Sequence, residues 1–162
     1  MGLAVAFWIM TVVMVGSALA VVFLRNVFRS ALMLILCFIS VAGIYITLSA
    51  DFLAAVQILI YVGAISVLII LAIMMTREVQ KGNPGNRLEI PVAIVATVLL
   101  GILVYVVTAS PWKLSPEEPI TNTTAELATK LFSQNGFILP VEIGAALLLA
   151  AIIGAIVITR EK

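Results

Sequence analysis

Gln57, Tyr61, Gly63 and Ser66 stand together in a run otherwise built from large apolar side chains, Gln57-Ile-Leu-Ile-Tyr61-Val-Gly63-Ala-Ile-Ser66. Glu142 opens a second apolar run, just after Pro140. An amide, a phenol and a hydroxyl are hydrogen-bonding groups rather than nucleophiles with a base beside them. No catalytic centre is therefore expected on the chain. Polar groups inside an apolar layer are costly unless they are partnered, so their face must point into protein or toward a hydrated path. These residues are the candidate site.

Spacing supports that reading. Gln57 and Tyr61 lie four residues apart and share a face if the segment is an α-helix. Counted from Asp51, Gln57 sits about 9 Å and Tyr61 about 15 Å along the helix, which puts Tyr61 near the midplane of a membrane. Tyrosines that anchor a helix belong at the headgroup level, and Tyr61 is far from it. Gly63 either admits a close neighbour helix or frees the backbone for a local change such as a π-bulge. The plainer alternative is that these residues only glue helices together. Glu142 has two readings as well: a functional acid at a depth like that of Gln57, or an ordinary helix start in which proline and an early anion are favoured.

The composition sets the class. Of the 162 residues 64% are hydrophobic and only 10% charged, more apolar surface than a water-soluble fold of this size can hide. Histidine is absent and Cys37 is the lone cysteine, inside an apolar run, where it reads as a small buried residue. This excludes a disulfide framework and the usual zinc, haem and iron–sulfur ligand sets, so no metal or cofactor is expected on the chain. With a net charge of +1 and no basic cluster, nucleic acid is not an expected partner.

Between Arg29 and Arg77 the only formal charge is Asp51. As helix that stretch spans about 70 Å, enough for two crossings of a hydrocarbon core of roughly 30 Å with a tight turn between them. Extending the same logic predicts an all-α, polytopic membrane protein forming one transmembrane domain. Its five helices fall at about residues 2–24, 30–50, 52–76, 90–110 and 137–159. Ala18-Leu19-Ala20 resembles a signal-peptidase site, but no basic region precedes it, and the first run reads as a retained helix. The breakers in Lys81-Gly-Asn-Pro-Gly-Asn86 mark a loop. Arg25, Arg29, Arg77, Lys81, Arg87, Arg160 and Lys162 fall on one side, and only Lys113 and Lys130 on the other. The excess of positive charge inside then puts the N-terminus outside and the C-terminus in the cytoplasm.

The outer loop, 111–136, is polar and broken by prolines, with a formal glycosylation sequon at Asn122 that reads as a surface turn. Residues 124–132 read as a short amphipathic helix with Leu127, Leu131 and Phe132 on one face and Thr124 as its cap. Small residues recur every fourth position at Ala146, Ala150 and Gly154, and again at Gly16 and Ala20. Such stripes let other helices approach closely, which suits a part of a larger assembly.

The run Asp51-Phe-Leu-Ala-Ala-Val-Gln57-Ile-Leu-Ile-Tyr61-Val-Gly63-Ala-Ile-Ser66 resembles the third-helix signature of the subunit J family of bacterial NADH–quinone oxidoreductase, respiratory complex I. The mitochondrial counterpart of that family is NADH dehydrogenase subunit 6. The number and orientation of the helices are similar too, as is a last helix opening on Val141-Glu142 and running into Leu147-Leu-Leu-Ala150. The likeness covers nearly the whole chain. It implies a core membrane subunit of a proton pump, embedded in the bacterial inner membrane and assembled with other membrane subunits. It also implies that FMN, the iron–sulfur clusters, NADH and quinone are held elsewhere in the complex. In the family the third helix switches between regular helix and a π-bulge near the step that is Tyr61 to Gly63 here. The resemblance therefore assigns Tyr61, Gln57, Gly63, Ser66 and Glu142 to a proton path and its coupling. Some members carry Glu where this chain has Gln57, so this position offers hydrogen bonds and no titrating acid. Two rival readings are a purely structural scaffold in the same or a related redox complex, and a small independent transporter. The absence of an internal repeat and of a charged binding site argues against the transporter.

Overall fold

The computed structural model describes residues 1–76, 89–112, 123–133 and 136–160. The breaker loop Lys81–Asn86, the sequon residue Asn122 and the basic residues Arg77, Arg87, Lys113 and Lys162 lie outside them. All described secondary structure is helical: α1 is Gly2–Phe23, α2 is Val27–Thr47, α5 is Glu89–Ala109, α6 is Thr123–Phe132 and α7 is Ile138–Thr159. The third span, Asp51–Met75, is continuous but composite, with α3 (Asp51–Val56), a π-helical segment (Gln57–Ile65) and α4 (Ser66–Met75). Five helices are thus long and apolar enough to cross a membrane, as the hydropathy of the sequence requires.

Helix α2 begins three residues ahead of the expected residue 30. The Asn26 side chain accepts from the Arg29 N–H at 3.2 Å, which caps the first turn and takes Arg29 into the helix. An arginine tolerates that position because its long stem carries the charge outward, and Arg29 is exposed. The far end of α2 also stops short, at Thr47 rather than residue 50. There the Ala50 N–H donates to the Tyr45 carbonyl at 2.9 Å and the Ser49 N–H to the Ile46 carbonyl at 3.1 Å. This paired arrangement ends a helix by turning one residue left-handed. Ser49 is that residue, with φ of 59°.

The packed part of the chain centres on α2, which lies against α1 and against all three pieces of the third span. Its contacts are made by small residues: Ala31, Ser40 and Ala42 are buried on α2, with Ser17 on α1 and Ala54 on α3. A β-carbon placed on Gly43 would come within 2.9 Å of the Met10 sulfur, so α1 and α2 meet closely there. In lipid, where apolar side chains gain nothing by leaving their solvent, such close packing is what holds helices together. A hydrogen bond adds to it, from the Ser30 hydroxyl to the Val21 carbonyl of α1 at 2.6 Å.

The remaining spans are arranged differently. Among the described residues, α5 makes no extensive packing contact with another span, and the packing of α7 is mainly on α6. The glycines of the small-residue stripes on α1 and α7 find no close neighbour: a β-carbon on Gly16 or Gly154 would meet nothing within 4 Å. Helix α6 begins at Thr123, one residue before the expected start, with Leu127 and Leu131 half-buried and Phe132 exposed. It touches both α3 and α7, and the Thr123 hydroxyl donates to the Ser49 carbonyl at 3.3 Å. The chain then doubles back, the Phe137 N–H donating to the Lys130 carbonyl at 2.9 Å. A β-carbon on Gly136 would overlap that same carbonyl, so only glycine fits the turn.

Because serine pays for a left-handed backbone that glycine adopts freely, Ser49→Gly should stabilise the α2–α3 turn by about 1 kcal/mol. The check is the thermal inactivation midpoint of the assembled complex, which should rise; a lower midpoint would show that the Ser49 side chain matters more than its backbone.

A π-wound candidate site in the third span

The site residues gather where the third span changes winding. Gln57 is the first residue of the π segment, Tyr61 and Gly63 lie within it, and Ser66 is the first residue beyond. A π-helix closes its hydrogen bonds five residues apart and occurs mostly as short insertions in α-helices. Nothing in side-chain preference forces it here, since the flanking residues are ordinary helix formers in a span.

Burial separates residues that the sequence placed on one face. Gln57 is 8% exposed, whereas Tyr61 is 42% exposed. The physical reason lies in the winding. Four residues overshoot a full turn of α-helix, at 3.6 residues per turn, but fall short of one when each hydrogen bond spans five. Tyr61 is thereby displaced sideways from Gln57, toward the surface of the chain. Its ring lies edge-on to Phe38 of α2, with centroids 5.5 Å apart and planes at 66°. Among the described residues, no enclosed side-chain polar atom is left without a partner. Gln57 itself is buried, and its amide bonds to no described group.

Gly63 has one close neighbour. A β-carbon there would lie 3.4 Å from the Ile58 carbonyl oxygen, and no atom of another helix comes within 4 Å. Of its two expected roles, close helix approach is not seen among the described residues, and backbone freedom is the one the chain itself supports. Ser66 is 2% exposed, and its hydroxyl donates to the Tyr61 carbonyl at 2.6 Å. Its backbone N–H is shared between the Tyr61 and Gly63 carbonyls.

Glu142 stands apart. Helix α7 starts at Ile138, so Pro140 is its third residue rather than its first and Glu142 falls beyond the first turn. It is exposed, and no residue of the third span packs on α7. Similar depth along two helices therefore does not bring Glu142 to Gln57 within this chain. Phe38 was not singled out by its position in the sequence; only the packing of α2 on the π segment identifies it. Cys37, next to it, is half-buried, with its thiol 3.8 Å from the Met14 carbonyl.

The chain matches the family model for NADH-ubiquinone/plastoquinone oxidoreductase chain 6 over residues 17–158, which includes every site residue. The chain belongs to this family. Relatives agree over nearly its whole length. The NAD(P)H-quinone oxidoreductase chain 6 of Leptolyngbya boryana is 42% identical, covering 98% of this chain and 80% of the relative. That of a Synechocystis species is 41% identical over 97% and 80%. The F(420)H(2) dehydrogenase subunit J of Methanosarcina mazei is 35% identical over 96% and 90%. This chain-6 protein is accordingly a multi-pass membrane subunit of an NAD(P)H–quinone oxidoreductase complex, of the complex I class. Histidine is absent, cysteine occurs once, and the described residues hold no group of three His, Cys, Asp or Glu side chains.

The Phe38–Tyr61 contact carries a measurable consequence. An edge-on aromatic pair contributes about 1 kcal/mol beyond its buried area. Phe38→Leu should lower the thermal midpoint of the assembled complex, while Tyr61→Phe, which keeps both rings, should leave it unchanged.

Proposed function

We propose that this chain-6 protein is the coupling element of a proton-pumping NADH–quinone oxidoreductase, acting through a change of winding in its third span. The observation that carries the reading is the π segment Gln57–Ile65, a rare winding that coincides with the polar residues at mid-span. A change of register by one residue turns the two halves of a helix against each other by about 100°. Tyr61 sits between those halves. Its half-exposed phenol and the Gln57 amide would line or border a hydrated path in one winding and disrupt it in the other. Gly63 supplies the backbone freedom for the change. Glu142, exposed on α7, would help hold the outer half through a partner.

On this reading the partners are other membrane subunits of the complex and the surrounding lipid, covering the exposed apolar faces of α5 and α7. The N-terminus faces outward and the C-terminus the cytoplasm, in a bacterial inner membrane. FMN, the iron–sulfur clusters, the electron donor and quinone are bound by sister subunits. Relatives named for NAD(P)H and for F(420)H(2) support a donor chosen by those sister subunits rather than by this chain. The second reading, a purely structural scaffold, draws on the want of any acid or lysine near the bilayer centre among the described residues.

Gly63→Leu should leave electron transfer to quinone largely intact while proton export per quinone reduced drops several-fold, measured in sealed membrane vesicles. Full export in that variant would end the switching mechanism. Tyr61→Phe separates the two readings: the path predicts weaker pumping from a normally assembled complex, and the scaffold predicts no change.

A further inference from the structure

Hydroxyls in this chain report the winding of the helix that carries them. Thr11, Ser40, Thr97 and Thr129 donate to the carbonyl four residues back, and Ser17 and Thr47 to the one three back. These are the usual bonds of a hydroxyl in an α-helix. Ser66 alone among the described helical hydroxyls reaches five back, to the Tyr61 carbonyl at 2.6 Å. Its own N–H already divides between two carbonyls, Tyr61 and Gly63. Ser66 therefore sits on the seam between the windings with two donors aimed at one carbonyl.

That arrangement bears on how a register change takes place. For the π segment to become α-helix, the Tyr61 carbonyl must exchange the Ser66 N–H for the Ile65 N–H. The Ser66 N–H moves to Val62 as it leaves. Between the two events the Tyr61 carbonyl would stand unbonded beside the buried Ser66, on the side of the span away from any hydrated path, where an orphaned carbonyl is expensive. A hydroxyl rotates about a single bond, and it need not follow the backbone. We infer that Ser66 is a hand-over residue: its hydroxyl keeps the Tyr61 carbonyl bonded while the backbone partners change, and then turns to Val62. The resting populations of the windings are little affected, because the hydroxyl has an acceptor in each. The rate of passage between them is what it sets. Ser66 acts on Tyr61 through the backbone and is a positioning residue. The inference rests on the proposed switching of the third span.

The test follows the winding over time in the intact complex. Native, Ser66→Ala and Ser66→Thr complexes are mixed with reductant and quinone and frozen at set delays. Imaging then counts particles with residues 57–65 in π or α winding. Ser66→Ala should assemble normally and reach the native final ratio, but about tenfold more slowly, as expected for one lost hydrogen bond at the barrier. Ser66→Thr, which keeps the hydroxyl, should restore most of the native rate. Native and Ser66→Ala complexes that interconvert equally fast would overturn the hand-over and leave the switch standing. An altered final ratio at native rate would overturn it too, in favour of a latch on one winding. A native complex found in one winding at every delay would end both this inference and the function it rests on.

Discussion

Inside a bilayer every backbone N–H and C=O must find its partner within the protein, and the third span is organised by that requirement. An α-helix meets it with one bonding pattern and leaves nothing to change. A π segment meets it with another, at a cost in backbone geometry, and so gives the same residues two ways of being satisfied. The polar side chains at this level serve the same constraint. Ser66 supplies an extra donor to the Tyr61 carbonyl, while Gln57 is buried beside the more exposed Tyr61.

The rest of the packing suits the proposed change of winding in the third span. Helix α2 contacts every part of the third span through small side chains, a surface smooth enough for a neighbouring helix to turn on. Phe38 is the exception, a large ring set against Tyr61. By contrast α5 and α7 lie away from this unit among the described residues. In water such exposed apolar helices would collapse onto the rest. Lipid removes that pressure, because its tails are as apolar as leucine, so inserted spans persist until specific neighbours arrive.

Much of this was legible in the sequence, for reasons that also explain what was not. Charge spacing and hydropathy located the spans because length and apolarity are set by the bilayer itself. The amphipathic helix α6 was visible through Leu127 and Leu131. The ends of α2 were not: Arg29 looked like a flanking charge and proved to be inside the first turn, and the left-handed residue of the next turn is Ser49, not a glycine that would announce it. At the candidate site, residue types and spacing pointed to Gln57, Tyr61, Gly63 and Ser66, and the family resemblance to a bulge near Tyr61. The extent of the π winding stayed hidden, because α and π helices use the same side chains. Glu142 illustrates a further limit. Depth along a helix can be counted from sequence, but the lateral placement of that helix cannot.

The tie between Thr123 and Ser49 has a mechanical meaning. A helix that changes its winding behaves as a screw, and the end held in place decides which end revolves. The α3 end is clamped by the hydrogen-bonded turn at Ser49 and Ala50 and by α6 lying against it, with Gly136 folding the strap back toward α7. The α4 end has no such clamp among the described residues and runs out at Thr76. If the third span rewinds as proposed, the α3 side, held by α2, α6 and the Ser49 turn, is the fixed end, and the α4 side, held by α2 among the described residues, is the end that revolves.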